Sequence, residues 1–263
     1  MAFTNIIFEV GDGVAKLALN RPQSLNSFNT AMHEEVRDAF NQVREDAAIR
    51  CLLLTGSGRG FCAGQDLGDR TVSAEHGAPD LGESIERYYN PLICGIMTLP
   101  KPVICAVNGV AAGAGASIAL ACDIVLAGRS ASFVQVFCKI GLVPDSGGSW
   151  NLPRAVGLPR ARGLAMLGDK LGAEQAEAWG MIWRCVDDDK LQEEALKLAK
   201  HLATQPTLGL GMIKKLLAES TANNLHQQLE LEKETMRMLG RSQDYQEGVA
   251  AFLEKRAPRF KGE

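Results

Sequence analysis

Two short runs, Cys51-Leu52-Leu53-Leu54-Thr55 and Val103-Ile104-Cys105-Ala106-Val107, are apolar at almost every position, and no other feature limits the fold as tightly. A strand with one face in water alternates apolar and polar residues, so an unbroken apolar run of this length fits a strand covered on both faces. Ile124 to Ala127 reads the same way. Helical patterns lie between these runs. Asn29 or Thr30 can cap a helix reaching about Glu45, Pro79-Asp80 precedes a helical stretch to about Thr98, and the small residues from Gly113 to Cys122 suit a third helix. Strands and helices that interleave in this way predict an α/β fold.

The chain opens with β structure, since Ile6 to Val10 and Val14 to Leu19 flank Gly11-Asp12-Gly13, the composition of a hairpin turn. After Gly148 the apolar spacing is helical, with breaks near Gly157-Leu158-Pro159, Gly168 to Gly172, Gly180 and Pro206. No strand pattern follows Thr207, so the apolar stripes there must be covered by the core or by another subunit. The expected division is a core over residues 1–206 that carries the site and a helical oligomerisation region over residues 207–263. Gly68 to Pro79, rich in Gly, Ser, Asp and Ala, is the expected mobile segment over that site.

With 263 residues, 46% of them hydrophobic, the chain can bury a substantial core, and a formal charge of -3 provides no basic surface for a nucleic acid. No segment approaches the roughly 18 uninterrupted apolar residues of a membrane span. Met1 to Ile7 lacks the basic stretch and apolar run of a secretory signal. Seven scattered cysteines without a CxxC pair fit reduced thiols and a cytoplasmic location. His33, His76, His201 and His226 are far apart, which argues against a metal site and reads as four surface residues.

The chemistry concentrates in three segments. Gly141-Leu142-Val143-Pro144-Asp145-Ser146-Gly147-Gly148-Ser149 places one carboxylate in a glycine-flanked turn where a helix can begin. Asp145 is there either a helix cap or a base, and apolar neighbours Ile140, Leu142 and Val143 would raise its pKa and favour a base toward a weakly acidic carbon. Phe61-Cys62-Ala63-Gly64-Gln65-Asp66-Leu67 and the stretch from Asn108 to Ser117 leave backbone N–H groups open, and two bare amides facing one carbonyl make an oxyanion hole. Taken singly, a surface turn with Asp66 capping the next helix, and close helix packing through Gly and Ala, explain these segments equally well. No dinucleotide or P-loop fingerprint lies between a strand and a helix, no GxSxG surrounds Ser117 or Ser149, and Cys62 reads as a packed thiol.

Together and in order, with Leu19-Asn20-Arg21-Pro22-Gln23-Ser24-Leu25-Asn26 before them and Asp244 to Arg256 after them, these segments resemble the crotonase (enoyl-CoA hydratase/isomerase) superfamily over the full chain. The resemblance implies a ClpP/crotonase-like spiral of ββα units with a C-terminal helical trimerisation region, a homotrimer or a dimer of trimers, and acyl-CoA substrates. It implies that the amides of Gln65 and Ala114, beside Gly113, hold the thioester oxygen. Arg21, Ser24, Leu25, Ala63, Asp66 and Leu67 would line the CoA site, and Phe260 and Lys261 would reach a neighbouring subunit's CoA.

Hydratases of the family handle water with two glutamates, and the matching positions in the acyl site here are Ser117 and Phe137, whereas Asp145 falls where isomerases carry an acid. The runs Arg59 to Leu67, Leu99 to Ala116 and Trp179 to Trp183 carry a closer likeness within the family, which implies isomerisation of the ring 1,2-epoxide of phenylacetyl-CoA to oxepin-CoA in aerobic phenylacetate catabolism, with a β,γ to α,β double-bond shift as a second activity. No metal, flavin or nicotinamide is expected, because the sequence offers no ligand cluster and no dinucleotide fingerprint, and coenzyme A is part of the substrate. A hydratase or thioester hydrolase of the same fold, and a scaffold that pairs with an enoyl-CoA hydratase, stay open as alternatives. An RNA-binding role does not fit, because the helix at Met32-His33-Glu34-Glu35-Val36-Arg37-Asp38 carries too few basic residues.

Overall fold

Strand β1 (Ile6–Gly11) pairs antiparallel with β2 (Val14–Leu19), and Gly11 faces Val14 across a two-residue turn. Both turn residues, Asp12 and Gly13, have positive φ (53° and 75°), the backbone that matches the right-handed twist of a tight hairpin. The computed structural model describes residues 3–69 and 80–263. Helix α1 (Thr30–Glu45) starts at Asn29, whose side chain accepts a hydrogen bond from the Met32 N–H at 2.9 Å, and its buried face includes Met32, Val36, Phe40 and Val43.

Three similar units follow. Each has a long strand, a short strand and helical structure: β3 (Cys51–Gly56) and β4 (Gly60–Cys62), then α2 (Leu81–Ser84), a π-helical turn (Ile85–Tyr89) and α3 (Asn90–Thr98). The second unit is β5 (Val103–Val107), β6 (Val110–Ala112) and α4 (Ala114–Ala121). The third is β7 (Ile124–Gly128) and β8 (Ser132–Val134), followed by α5 (Gly148–Val156) and α6 (Leu158–Leu167). The links within each strand pair are too short for a parallel crossover in one sheet, so the second strand enters a different sheet. One sheet has the order β1-β2-β3-β5-β7-β10, where β10 is Arg184–Val186, and the other β4-β6-β8-β9, where β9 is Lys170–Gly172. Each unit therefore advances one place along both sheets, which is the spiral of ββα units.

Asn108 stitches the corners: its Oδ1 accepts from the Gly56 N–H at 3.1 Å and its Nδ2 donates to the Gly58 carbonyl at 2.9 Å. The next residue must be glycine, because a Cβ on Gly109 would lie 2.2 Å from the Arg59 carbonyl oxygen.

The unbroken apolar runs find their explanation in two cores. Leu52, Leu54, Val103, Cys105 and Val107 pack with α1, α3 and α4 residues on one side of the first sheet. On the other side Leu53, Ile104 and Ala106 meet Leu191, Ala195 and Ala199 of α8 (Leu191–Ala203). Between α6 and α8 the all-helical expectation fails, because β9 (Lys170–Gly172), α7 (Ala173–Ala178) and β10 (Arg184–Val186) intervene. Three residues are too few to display a strand period, and these two form because sheet edges are available to pair with them. The reading of His33 as a surface residue also fails: it is buried, stacked on Tyr88 with ring centroids 4.9 Å apart and packed on Phe28 at 4.6 Å. His201 and His226 are exposed, and His76 lies outside the described residues.

Helix α9 (Thr207–Glu219) is pinned to the core, with Lys214 Nζ bonded to the Ile96 carbonyl at 2.6 Å and paired with Asp123 at 2.8 Å. Helices α10 (Leu225–Leu239) and α11 (Gln243–Glu254) leave Leu225, Leu229, Met236, Phe252 and Leu253 largely exposed. No helix among the described residues is long and apolar enough to cross a membrane. Of the segment expected to be mobile, 70–79 lies outside the described residues.

Candidate active site

The loop after β4 presents one open amide by simple peptide geometry. Phe28 forms an isolated parallel bridge with Gln65, donating its N–H to the Gly64 carbonyl at 2.7 Å and accepting from the Asp66 N–H at 2.9 Å. In a trans peptide the C=O and N–H point in opposite directions, so the Gln65 N–H is turned away from Phe28. Among the described residues it donates to no acceptor. Gly64 makes the turn with φ +90°, and its own N–H lies 3.4 Å from Cys62 Sγ. That thiol is fully buried, and burial pushes its pKa up to about 12, so it is a neutral, packed group as expected.

The second open amide belongs to Ala114, the first residue of α4. A helix leaves its first N–H groups without partners inside the helix. Gly113 (φ +54°) bonds through its own N–H to the Val134 carbonyl at 2.9 Å and turns the chain into α4. The two loops touch: a Cβ on Gly64 would lie 3.2 Å from the Ala114 nitrogen and 3.0 Å from the Ala112 carbonyl oxygen. A Cβ on Gly115 would lie 2.2 Å from the Cys62 carbonyl oxygen. Glycines thus bring two backbones together so that both free donors lie in one small region, at the positive end of α4.

Phe137 and Ser117 adjoin these amides. Phe137 is buried with its ring 3.8 Å from where a Gly113 Cβ would stand, and Ser117, wholly buried, donates to the Gly113 carbonyl at 3.4 Å. Gly148 at the start of α5 leans on Ser117, since its Cβ would lie 2.5 Å from Ser117 Oγ and 3.4 Å from Pro144 Cβ. That contact docks the Asp145 turn on α4. Asp145 is half-buried, and its carboxylate accepts from Ser146 Oγ at 3.0 Å. Asp145 is not the N-cap residue of α5. Gly147 occupies the N-cap with no side-chain bond, and the consecutive positive φ values of Ser146 (52°) and Gly147 (74°) make the turn. Ile140, Leu142 and Val143, expected to surround Asp145, are 55%, 37% and 77% exposed in the single chain.

On the far side of the Gln65 loop, Arg21 pairs with Asp66 at 2.8 Å and donates to the Ser27 carbonyl at 2.6 Å. Burial works to raise the Asp66 carboxyl, but hydrogen bonds from Arg21 and the Gly68 N–H outweigh it and hold the pKa below the ordinary value. Asp66 therefore caps the short turn after it and also holds Arg21. Leu25 (φ 48°) lies beside Ser24, and its carbonyl accepts from the Ala63 N–H at 2.9 Å. Leu67 is exposed. Phe260 and Lys261 are held elsewhere, by Arg50 on the Phe260 carbonyl (2.9 Å) and Asp244 on the Lys261 N–H (2.7 Å). No group of three or more His, Cys, Asp or Glu side chains among the described residues is arranged to hold a metal ion.

A family model for enoyl-CoA hydratase/isomerase matches residues 9–263. The chain belongs to that family. A 1,2-epoxyphenylacetyl-CoA isomerase of Escherichia coli is 60% identical over 257 residues, spanning 98% of each protein. A crotonyl-CoA hydratase of Syntrophomonas wolfei is 34% identical over 266 residues, spanning 99% of each. Among solved structures, an enoyl-CoA hydratase from Bacillus anthracis superimposes with a TM-score of 0.92 at 32% identity, over 99% of this chain and 100% of that one.

In this enoyl-CoA hydratase/isomerase family member, the residues anticipated from sequence fall into three groups. Gln65, Gly113, Ala114, Ser117, Phe137 and the Asp145 turn form one connected neighbourhood, and Arg21, Ser24, Leu25, Ala63 and Asp66, with the exposed Leu67 next in the chain, form an adjoining one. Phe260 and Lys261 bond to α11 and Arg50 within their own chain. Two residues escaped the sequence reading. Asn26, completely buried, donates to the carbonyls of Ser57 and Gly60, both at 2.9 Å, and ties the Arg21 segment to the corner before β4. Tyr89 bonds to the Gln65 side chain. Asn26 lies inside a quoted motif, and its positive φ of 57° is a conformation that Asn tolerates better than most residues. Nothing local in sequence links Tyr89 to Gln65.

Proposed function

We propose that this chain is an acyl-CoA isomerase that converts the ring 1,2-epoxide of phenylacetyl-CoA to oxepin-CoA. The observation that carries the reading is the pairing of two open amides, Gln65 and Ala114, with one neighbouring acidic turn, at Asp145, while Ser117 and Phe137 fill the adjoining positions without a carboxylate. The amides hold the thioester oxygen, and Asp145 moves the proton. Opening the carbon–carbon bond shared by the epoxide and the ring gives an oxepin whose double bond lies β,γ to the thioester. Asp145 takes an α proton, the electron pair passes to the thioester oxygen, and the amides meet the charge as it forms. Return of the proton to the γ carbon leaves the double bond conjugated and the atom count unchanged. The same steps shift the double bond of a simple β,γ-enoyl-CoA.

Water activation for hydration requires a carboxylate where Ser117 and Phe137 stand, so the isomerase reading is favoured over the hydratase. Arg21, Ser24, Leu25, Ala63, Asp66 and Leu67 line the path of the CoA moiety. Residues 207–263 act as an oligomerisation region: the exposed apolar side chains of α10 and α11 call for a partner subunit, in a trimer or a dimer of trimers, where Phe260 and Lys261 contact a neighbour's CoA. The reaction runs without metal, flavin or nicotinamide in the cytoplasm, since backbone amides and one carboxylate supply the needed charge and proton.

The test is turnover by purified protein on a panel of acyl-CoA thioesters, with products identified by mass and NMR, before and after dialysis against a chelator. Isomerisation of the ring epoxide at an unchanged rate is expected. Efficient hydration of crotonyl-CoA by the parent would overturn the reading, and so would turnover that returns only with added metal.

A further inference from the structure

Behind the open Gln65 amide lies a buried aromatic group supplied by distant parts of the chain. The π-helical turn Ile85–Tyr89 carries one more residue per hydrogen-bonded ring than an α-helix and so rotates the side chains that follow. It delivers Tyr89, with no exposed surface, against Phe28 (ring centroids 6.2 Å apart) and edge-on to His33 (4.6 Å). From there the Tyr89 hydroxyl donates to Gln65 Oε1 at 3.0 Å, while Gln65 Nε2 reaches the Asp66 carbonyl at 3.3 Å. Both ends of the Gln65 side-chain amide are thus engaged away from the glycine-lined hollow. The backbone on either side is fixed by Phe28, which bonds Gly64 and Asp66 but not Gln65 itself.

We infer that Tyr89 is a positioning residue for the reaction: its hydroxyl, acting through the Gln65 side chain, sets the direction of the open Gln65 N–H. The inference rests on the oxyanion role given to that amide above. Phe28 fixes the residues before and after Gln65, yet a single bridge leaves the peptide free to tilt about the line joining its two bonds. The Tyr89 contact removes that freedom. A donor that must meet charge only as it forms is sensitive to such a tilt, because misplacements of about 1 Å are enough to cost large factors in rate.

The experiment uses the full-length protein with phenylacetyl-CoA labelled with ¹³C at the thioester carbonyl, which binds without ring chemistry. Difference infrared spectroscopy reads the polarisation of that carbonyl by the two amides. The parent should move the band to lower wavenumber, and Tyr89→Phe should lose half or more of the movement. On the epoxide substrate the variant should lose about tenfold in kcat, with KM within about twofold and an unchanged pH profile. Gln65→Met, which removes the acceptor and keeps the length, should reproduce the loss. Adding Tyr89→Phe to Gln65→Met should cost nothing more, whereas a tyrosine that merely filled the core would impose its cost in either background.

A Tyr89→Phe protein that keeps both the band position and kcat within about twofold of the parent overturns the inference and leaves the oxyanion reading intact. An unshifted band in the parent overturns both. Should Tyr89→Phe fail to fold, Gln65→Met alone decides: parental kcat and band position contradict the inference, and a matching loss supports it.

Discussion

The Gly64-Gln65 and Gly113-Ala114 amides sit on strand ends and a helix start within the core, whereas Asp145 sits on a half-buried turn whose flanking apolar side chains face outward. Around the amides Leu25, Phe28 and Val134 bond the adjoining backbone, and glycines occupy places where a Cβ would strike main-chain atoms. Around Asp145 two consecutive left-handed residues shape the turn, with the Ser146 hydroxyl on the carboxylate and the Gly148 N–H on the Asp145 carbonyl among its bonds. The difference teaches where each part of the chemistry resides. On the proposed mechanism, stabilising a thioester enolate depends on backbone and on the fold itself, while the choice of what is done with the proton depends on side chains that can vary without disturbing that backbone.

That contrast predicts mutations of different character. Asp145→Asn keeps the shape of the turn and removes the base, so isomerisation should fall by ~10² to 10⁴-fold with the melting temperature and CoA-ester affinity nearly unchanged. Turnover within a few fold of the parent would move the base elsewhere. Gly64→Ala should act on the other region in the opposite way, disturbing the structure as well as the rate. Its methyl would lie 3.0 Å from the Ala112 carbonyl oxygen and 3.2 Å from the Ala114 nitrogen, at a φ of +90° that L-residues avoid. A loss of about 1 to 3 kcal/mol in stability is expected together with a fall in rate, measured by denaturant unfolding and steady-state kinetics. A variant that keeps full activity would show that the two amides do not work as a pair.

Attempts to install a hydratase should meet the same boundary. Ser117→Glu, alone or with Phe137→Glu, has to enter the space beside Gly148, where even a Cβ would lie 2.5 Å from Ser117 Oγ. The parent should consume crotonyl-CoA slowly, as read from the enoyl thioester absorbance, and the substituted proteins should lose isomerisation without gaining hydration. A gain in hydration would show that the Asp145 turn yields more readily than its docking on α4 suggests.

The parts of the molecule that were legible in sequence are those written in local pattern. The covered runs at Cys51 and Val103, the hairpin at Asp12-Gly13 and the cap at Asn29 depend on neighbours a few residues away. So did the glycine segments. What was hidden depends on partners far along the chain. Which amide stays open follows from the bridge between Phe28 and Gln65, and His33 is buried because Tyr88 and Tyr89 cover it. The short strands β9 and β10 exist because β8 and β7 offer them edges. The exposed Ile140, Leu142 and Val143 make the same point from the other direction, since apolar neighbours in sequence did not foretell burial in the single chain.

The smallest expected effect is on acid stability. Glu35 accepts from the N–H groups of Asn5 and Ile6 at 2.7 and 3.1 Å; burial raises its pKa, but hydrogen bonds from Asn5 and Thr4 outweigh burial and set it below the ordinary value. Asp66 is lowered in the same sense. A carboxyl with a depressed folded-state pKa stabilises fully above its unfolded value of roughly 4, and the contribution is lost as pH falls through the folded value. Glu35→Gln should therefore melt slightly below the parent at pH 7, by no more than a few degrees, and the gap should close on acidification below about pH 4. A gap that widens on acidification would contradict the assigned direction.

Proton transfer at the α carbon is the point on which both regions meet, and it can be followed without the epoxide. Phenylacetyl-CoA incubated with the enzyme in D₂O, with no added metal or cofactor, should exchange its α hydrogens for deuterium by NMR. Asp145→Asn should leave them in place at the uncatalysed rate. Exchange by Asp145→Asn as fast as by the parent, or no exchange by the parent at all, would contradict the assignment of Asp145 as the base serving an enolate held by Gln65 and Ala114.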